Sequence, residues 1–370
     1  MLNKYWFWLV LGIFAALNLM DYATVPGGDP FRDGKIRYLF LLSAPLSYVY
    51  FKKWLGYAPA MFVCLAIVSF AVHNFMLYAT WPLLLILVVM AVAVAGVKLG
   101  EETFAKILLW SGGLQTGFAL VQLCFGFHFF YQPTDEWAMH IPVGLYGNET
   151  VLGPFLLACL CPALWDRRWV LSGVMVVALV ASLSSMTIGS LGVVLFLYAW
   201  KRLGGGIAAA VAAAGAFALG LLYVLDPTHP MLDWDGRGVI WKYGWKAFQE
   251  RPLFGHGVGA WAGELLGKYA PMYATELRTM PKQLHCDVLD FLVEYGLVGA
   301  SLFVYPVLSF LRNFRPTWKH AACVAILVNG LANFPLCLPP IAVVFVTCWT
   351  LLTRDDTMGE CEMRAGMRSF

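Results

Sequence analysis

The sequence predicts an all-α, polytopic membrane protein with about twelve transmembrane helices and one long polar loop on the outward side. Of its 370 residues, 60% are hydrophobic and 13% are charged, whereas an ordinary soluble domain is about 25% charged. The charged residues lie between long apolar runs such as 81–97 and 169–183, and a bilayer span needs about 20 mostly apolar residues. These observations exclude a soluble globular protein.

Twelve apolar runs divide the chain into membrane and non-membrane parts. Their centres lie near residues 13, 44, 65, 88, 115, 157, 177, 194, 215, 299, 326 and 345. We expect residues 1–225 to form spans one to nine, 226–285 a long outward loop with short helices, 286–353 spans ten to twelve, and 354–370 a cytoplasmic tail. The loop holds 13 of the 47 charged residues, so function is expected there first.

The basic residues predict which side of the membrane each loop faces. With the N-terminus inside, 15 of the 25 Lys and Arg residues lie in cytoplasmic segments, and the short outward loops carry only Arg32, Lys35 and Arg37. The other seven lie in the long loop, and long loops cross the membrane largely regardless of charge. This asymmetry fits the positive-inside rule and places residues 226–285 outside.

Residues 169–200 are the segment on which this topology depends. A single helix of these 32 residues would be about 48 Å long, and a hydrocarbon core is about 30 Å thick. A polar run near the middle of the segment suits the tip of a hairpin, and it contains Ser182, Ser184, Ser185, Thr187 and Ser190. We therefore expect two short spans.

Four motifs follow one another from the outward loop into the next span. They are Gly-Arg-Gly-Val-Ile-Trp at 236–241, Arg-Pro-Leu-Phe-Gly-His-Gly-Val-Gly at 251–259, Leu-His-Cys-Asp at 284–287 and Glu-Tyr-Gly-Leu-Val-Gly at 294–299. With a Gly-Asn element at 147–148, this order resembles the O-antigen ligase and O-antigen polymerase superfamily, most closely the ligases. The resemblance covers roughly residues 144–300, and the first five spans match only in being hydrophobic.

The resemblance implies a C-type glycosyltransferase-like fold in the bacterial inner membrane, with the active site on the periplasmic side. It implies a metal-independent, inverting enzyme that transfers a polysaccharide from undecaprenyl diphosphate to a hydroxyl of an acceptor such as lipid A-core. A polymerase that joins undecaprenyl-linked repeats shares the motifs and is the alternative. A protein O-oligosaccharyltransferase ranks third, because such relatives tend to carry a longer C-terminal part than residues 352–370.

Arg237 and His285 are the candidate catalytic residues. Transfer from a diphosphate needs cations that stabilise the leaving group and a base that takes the proton of the acceptor hydroxyl. A guanidinium binds phosphate oxygens in a bidentate manner, and an imidazole titrates near neutral pH. The resemblance assigns these roles to Arg237 and His285. Outside the family pattern, a surface arginine and a structural histidine would be the ordinary interpretations.

The Ser-Arg-Gly element of the family has no arginine here, because the corresponding stretch at 184–190 reads Ser-Ser-Met-Thr-Ile-Gly-Ser. Family members use two arginines and the histidine around the lipid diphosphate. The resemblance therefore requires either a substitute cation or an altered activity. Arg278 and Lys282 are the nearest substitutes in sequence.

Acidic residues at the start of the tenth span extend the candidate substrate site. Asp287, Asp290 and Glu294 are spaced to share one helical face, where they would orient His285 or bind an acceptor sugar. Asp287 suits a helix N-cap equally well. Glu294 lies deeper, where an ionisable group is a functional candidate by default.

Two further candidates lie on other elements. Asn148 most simply caps the sixth span, and a lining role in the cavity is the alternative. Trp241 lies in a short amphipathic helix predicted at the membrane interface, over residues 239–249. One side of this helix is expected to hold Trp241, Trp245 and Phe248, and the other Lys242 and Lys246.

No cofactor and no metal are expected. The histidines are scattered without the close pairing that metal ligation needs, and 255–259 lacks the context of a nucleotide-binding loop, so it is a turn. The expected partners are the bilayer, an undecaprenyl-diphosphate-linked glycan donor and a lipid A-core or glycan acceptor. A net charge of +3 without a basic stripe excludes nucleic acid. A polyprenyl-linked glycan transporter is disfavoured, since carriers place ionisable groups near mid-membrane.

The orientation yields a direct prediction. A reporter fused after residue 260 should be active only if it is a periplasmic reporter, because the basic asymmetry places this loop outside. Paired fusions of alkaline phosphatase and a cytoplasmic reporter at this position provide the measurement. Activity of the cytoplasmic reporter would overturn both the span count and the location of the site.

Overall fold

The structure is a computed structural model and describes residues 96–128, 138–207, 209, 235–257, 259–261, 265–269, 283–312 and 314–352. Within these ranges the chain is helical and contains no strand. The first four predicted spans, the ninth span, Arg278, Lys282 and the tail at 354–370 lie outside the described residues. The count of twelve spans therefore stays a prediction.

Eight helices of ten or more residues form the described part of the chain. Two of them, α1 and α4, are long and apolar enough to cross a bilayer, and α2, α3 and α8 are shorter apolar helices. With the apolar composition, they are consistent with a membrane protein. The helices are α1 Glu101–Phe125, α2 Glu149–Trp165, α3 Trp169–Ala181, α4 Ser185–Leu203, α5 Asp235–Glu250, α6 Asp287–Arg312, α7 Trp318–Asn329 and α8 Pro339–Leu352.

The polar run in residues 169–200 breaks the chain into two helices, which confirms the predicted division. Helix α3 ends at Ala181 and α4 begins at Ser185. Between them, Leu183 has a φ of 54°, and the Ser182 hydroxyl donates to the carbonyl of Leu179 at 2.7 Å. Serine side chains compete with the helical backbone for such bonds, which favours a break at this point.

Helix α2 is the centre of the helix bundle. Its residues from Val151 to Leu164 are buried, and α1, α3, α4 and α7 pack around it. Small residues allow the close approach, since a Cβ at Gly153 would collide with Thr187 of α4. A helix that is apolar on all sides is a core or membrane helix, and α2 is both apolar and enclosed.

Polar contacts tie one end of the bundle together. The Glu101 carboxylate, at the start of α1, accepts from Lys319 Nζ at 2.6 Å and from Trp318 Nε1 at 2.8 Å. The indole of Trp165, at the end of α2, donates to the carbonyl of Pro316 at 3.1 Å. The beginnings of α1 and α7 therefore lie beside the end of α2.

A second set of polar contacts ties the opposite end together. The buried Gln122 amide, near the end of α1, accepts from the Gly144 backbone at 2.7 Å and donates to its carbonyl at 2.8 Å. At the start of α2, the carbonyl of Thr150 accepts from the Asn333 amide at 3.2 Å. The helices therefore alternate in direction, as successive spans of a polytopic protein do.

Helix α6 changes direction at Gly296, whose φ of 63° and ψ of −166° are not helical. At the start of α6, the N–H of Asp287 donates to the carbonyl of Gly330. Near its other end, the ring of Phe310 packs against the ring of His320. His320 and Gly330 are about 15 Å apart along α7, whereas Asp287 and Phe310 would be about 34 Å apart in a straight helix. The kink therefore brings the ends of α6 closer together.

Helix α5 packs along the first segment of α6 through a small core of its own. This core contains Ile240, Tyr243, Ala247, Phe248, Trp261, Tyr269, Leu284, Leu289 and Val293. Gly244 permits the close approach, because a Cβ there would lie 2.6 Å from Leu284 Cδ2. The loop predicted at 226–285 thus contains a folded element, which is attached to α6.

The predicted faces of α5 are partly wrong. Phe248 is buried as expected, but Trp245 is 50% exposed and lies on the surface with Lys242 and Lys246. The helix buries Ile240, Tyr243 and Ala247 instead, because these side chains lie in the core that α5 shares with Leu284 and α6. The exposed face therefore combines an indole with two lysines.

Substitution of Gly296 should destabilise the protein more than a glycine of similar backbone conformation elsewhere. Gly204 has φ 88° and ψ 162° with no atom near its Cβ position, whereas a Cβ at Gly296 would collide with the backbone of Leu253 and Gly255. Gly204→Ala should cost about 1–3 kcal/mol in free energy of unfolding, for strain alone. Gly296→Ala should cost more and expose 251–259 to protease. Equal melting temperatures for the two variants would show that the close contact is unimportant.

Candidate active site

The turn at 251–259 is bonded to the α6 kink through its backbone. The N–H groups of His256 and Gly257 donate to the carbonyls of Val293 and Glu294 at 2.8 and 3.0 Å. In return, Leu297 N–H donates to the carbonyl of Pro252 at 2.8 Å. Helix α6 can accept and donate these bonds because Gly296 interrupts its own hydrogen-bond pattern. Two of the four motifs found in the sequence are thereby joined.

Glycines make this contact possible. Gly255 and Gly296 have φ of 70° and 63°, and a Cβ on Gly255 would collide with the backbone of Glu294. Only glycine adopts such conformations readily and leaves room for a second backbone. The prediction that 255–259 is a turn is confirmed, since Gly257 and Gly259 also have positive φ, of 99° and 73°.

Glu294 contributes to the turn. Its carboxylate Oε1 accepts from the N–H of Gly259 at 2.7 Å. On the other side of the turn, His256 Nε2 bonds the carbonyl of Ala247 at 2.8 Å. Burial, chiefly, lowers the pKa of His256, which favours the neutral ring in this bond. Glu294 and His256 therefore hold the turn between α5 and α6.

Arg237, Trp241 and His285 come together at the other end of α5. Trp241 Nε1 donates to the backbone carbonyl of His285 in a long hydrogen bond of 3.4 Å. Arg237 lies one turn earlier on α5, and its Nη1 atom is buried. The structure thus brings the two predicted catalytic side chains to one place, although 48 positions separate them in the sequence.

The His285 ring is held in its neutral form. Burial, first, and the positive charge of Arg237, second, lower the pKa of His285 from 6.5 to about 4. A protonated His285 would place a second cation beside the Arg237 guanidinium, which is unfavourable because like charges repel. A neutral imidazole can accept a proton, as a general base must.

Asp287 does not cap α6, and its carboxylate is directed towards the loop after α7. Oδ2 accepts from the N–H of Leu336 at 3.1 Å, and Oδ1 accepts from the thiol of Cys337 at 3.9 Å. Its own N–H donates to the carbonyl of Gly330 at 2.8 Å. Asp287 is therefore an anchor between α6 and this loop, and the predicted bond to the His285 ring is not formed.

The other predicted polar residues have distinct positions. Asp290 is buried, at 8% exposure, one turn into α6. Asn148 caps α2, since its Oδ1 accepts from the N–H of Thr150 at 2.7 Å and also from its hydroxyl. The capping interpretation of Asn148 agrees with this geometry.

Sequence reasoning missed two residues beside His285. The Phe334 ring packs edge-on against the imidazole, with 4.9 Å between ring centroids and 86° between planes. Asn333, 1% exposed, bonds the start of α2 and the end of α7. The available signal was the pair Asn329 and Asn333, because amides in an apolar run need buried partners.

Across the part of the chain that the structure describes, no group of three or more His, Cys, Asp or Glu side chains is arranged to hold a metal ion. The carboxylate of Asp287, two positions after His285, already bonds the loop after α7. Metal independence stays a prediction.

Part of this chain matches a known protein family. Residues 155–304 match the family model described as O-antigen ligase. This segment of the chain is therefore similar to the O-antigen ligase family. No curated protein matches the chain. The matched segment includes α5, the turn at 251–259, His285 and the kink at Gly296, and it ends before the loop after α7. The resemblance found in the sequence is thereby confirmed.

The lowered pKa of His285 should make the protein less stable in acid. Between pH 6.5 and about 4, the unfolded chain binds a proton at this histidine and the folded chain does not. Stability should therefore fall across this interval, by on the order of 3 kcal/mol for this group. His285→Gln should lose that part of the pH dependence in thermal unfolding curves. Parallel curves for the two proteins would contradict the assignment.

Proposed function

We propose that this protein transfers a polysaccharide from undecaprenyl diphosphate to a hydroxyl of an acceptor such as lipid A-core. An O-antigen ligase domain supports a ligase-type or polymerase-type glycosyltransferase role. The observation that carries the finer proposal is the pairing of Arg237 with a neutral His285. It supplies a cation for the diphosphate and a base for the acceptor in one place.

In the proposed reaction, the acceptor hydroxyl oxygen attacks the anomeric carbon of the donor glycan, and the bond from that carbon to the diphosphate oxygen breaks. His285 takes the hydroxyl proton, and the diphosphate leaves with the electron pair of the broken bond. Arg237 binds the oxygens of the departing diphosphate in its guanidinium fork. Attack from the side opposite the leaving group inverts the anomeric configuration.

The electrostatics of the pair suit this order of events. A group with a pKa of about 4 is a weak base, and bases act best with a pKa near the working pH. Burial is the larger cause of this low pKa, and the charge of Arg237 is the smaller one. A diphosphate bound beside Arg237 would offset the second cause, so the basicity of His285 would rise when the donor binds. Without a bound donor, the imidazole of His285 would stay neutral beside Arg237.

The proposed location is the bacterial inner membrane, with Arg237 and His285 on the periplasmic side. The apolar helices and the O-antigen ligase domain support a membrane protein. The basic asymmetry supports the outward face for the loop that contains α5. A donor anchored in the bilayer by its polyprenyl chain would then meet the site without leaving the membrane.

Removal of His285 should abolish transfer and spare donor binding. Loss of a general base costs about 10²- to 10⁴-fold in turnover, so His285→Ala should accumulate undecaprenyl-linked glycan in cells. The control is His140→Ala, an exposed histidine outside α5 and α6. Purified protein is assayed with an undecaprenyl-diphosphate-linked glycan and either lipid A-core or a second linked glycan. Transfer only to the second linked glycan would assign a polymerase, and transfer to neither would refute both activities.

Arg237→Lys should keep the charge and lose most of the turnover, since an ammonium cannot reproduce the bidentate contact to phosphate. Arg251→Lys is the matched control, because Arg251 is exposed at the far end of α5. Initial rates at equal membrane expression give the comparison. Wild-type rates in the Arg237→Lys enzyme would remove Arg237 from the diphosphate site.

A further inference from the structure

The loop between α7 and α8, residues 330–338, packs against His285 although it lies beyond the matched family segment. Its Phe334 ring meets the imidazole edge-on, with centroids 4.9 Å apart. The loop is also bonded to the residue two positions after His285, since Asp287 N–H donates to the carbonyl of Asn333 at 3.2 Å. The imidazole and the backbone that carries it therefore have a common neighbour.

Asn333 connects this loop to the helix bundle. Its Nδ2 donates to the carbonyl of Thr150 at 3.2 Å and to Asn329 Oδ1 at 3.1 Å. Its Oδ1 accepts from the N–H of Phe334 at 3.0 Å. One buried amide thus bonds the start of α2, the end of α7 and the residue whose ring touches His285.

The backbone of His285 is held in a conformation that histidine adopts rarely. Its φ is 51°, in the left-handed region that favours glycine. Contacts fix this conformation from two sides, with Trp241 bonded to the His285 carbonyl and Phe334 packed on the ring. Strained residues of this kind persist where the surroundings over-determine them, and they concentrate at active sites.

We propose that Asn333 and Phe334 position His285 for proton transfer. Asn333 fixes the loop to α2 and α7, and the ring of Phe334 fixes the plane of the imidazole and keeps water from one of its sides. This assignment rests on the proposed function, because a fixed ring plane matters for a base that must lie within hydrogen-bond reach of one hydroxyl.

A purely structural role predicts a different result. It would change expression and melting temperature and leave the reactivity of a correctly folded His285 unchanged. Among the described residues, Arg237 on α5 is the group whose charge acts on His285. The elements packed near the ring also carry Asp287 and Asp290 on α6, Cys337 in the loop, and Cys286 beside His285 in the chain. All of them remain in the variants below, so a changed titration of His285 reports the ring's own environment.

The experiment uses the full-length protein in nanodiscs and diethylpyrocarbonate, which modifies neutral imidazole. Peptide mapping gives the modification rate of His285 from about pH 3 to about pH 8, on both sides of the expected midpoints and without any substrate. The variants are Phe334→Ala, Phe334→Leu, which keeps an apolar side chain, and Asn333→Leu, which removes the amide without adding a charge. Leu331→Ala is the control, because Leu331 lies in the same loop and is 55% exposed.

Phe334→Ala should raise the modification rate several-fold and move its pH midpoint upward from about 4 towards the ordinary value near 6.5. Asn333→Leu should act in the same direction, and Leu331→Ala should match the wild type. With the glycan donor and lipid A-core, turnover should fall about 10- to 100-fold in the Phe334 and Asn333 variants while donor KM stays within about twofold.

The two measurements separate the two proposals. Absence of transfer by the wild type would refute the proposed function, and the modification profile would still decide whether Phe334 and Asn333 control His285. If Phe334→Leu and Phe334→Ala fold and both give the wild-type rate and pH midpoint, the positioning role is overturned. The Phe334 pair decides this result even where Asn333→Leu fails to reach the membrane.

Discussion

The direct backbone contact between the turn at 251–259 and the kink in α6 is the constraint on which the rest of the site depends. Gly255 and Gly296 meet without side chains between them, and their neighbours exchange hydrogen bonds across the junction. This junction holds the C-terminal end of α5 in place. The core around Trp261 and Tyr269 packs the rest of α5 against α6. The near end of α5, which carries Arg237 and Trp241, is therefore brought to His285.

The polar residues around this scaffold divide into those that build it and those that remain for chemistry. Glu294 holds the turn, Asp287 anchors the loop after α7, and Asn148 caps α2. Each accepts a hydrogen bond from backbone N–H groups that would otherwise be unsatisfied in buried surroundings. Arg237 and His285 are the pair whose residue types and proximity suit phosphate binding and proton transfer.

The candidate site receives residues from separate parts of the chain. Helix α5 supplies Arg237, the segment before α6 supplies His285, and the loop after α7 supplies Phe334. Such a site can be rigid only if these segments are bonded to the same framework, and Asn333 provides such a bond through α2 and α7. A rigid framework matters because displacement of a catalytic group by about 1 Å can cost about 100-fold in rate.

The sequence by itself determined the helical class with membrane-type apolar runs, the division of 169–200 into two helices and the turn at 255–259. Its resemblance to the O-antigen ligases singled out Arg237 and His285, whose catalytic roles stay proposals. Apolar runs, serine clusters and glycine spacing act locally, so their consequences can be deduced without the fold. Tertiary structure alone decided that Trp245 is exposed, that Asp287 bonds Leu336 rather than the His285 ring, and that Asn333 and Phe334 belong to the site. These outcomes depend on contacts between residues about 50 to 180 positions apart. The local sequence pattern does not show which distant residues will hydrogen-bond a buried polar group.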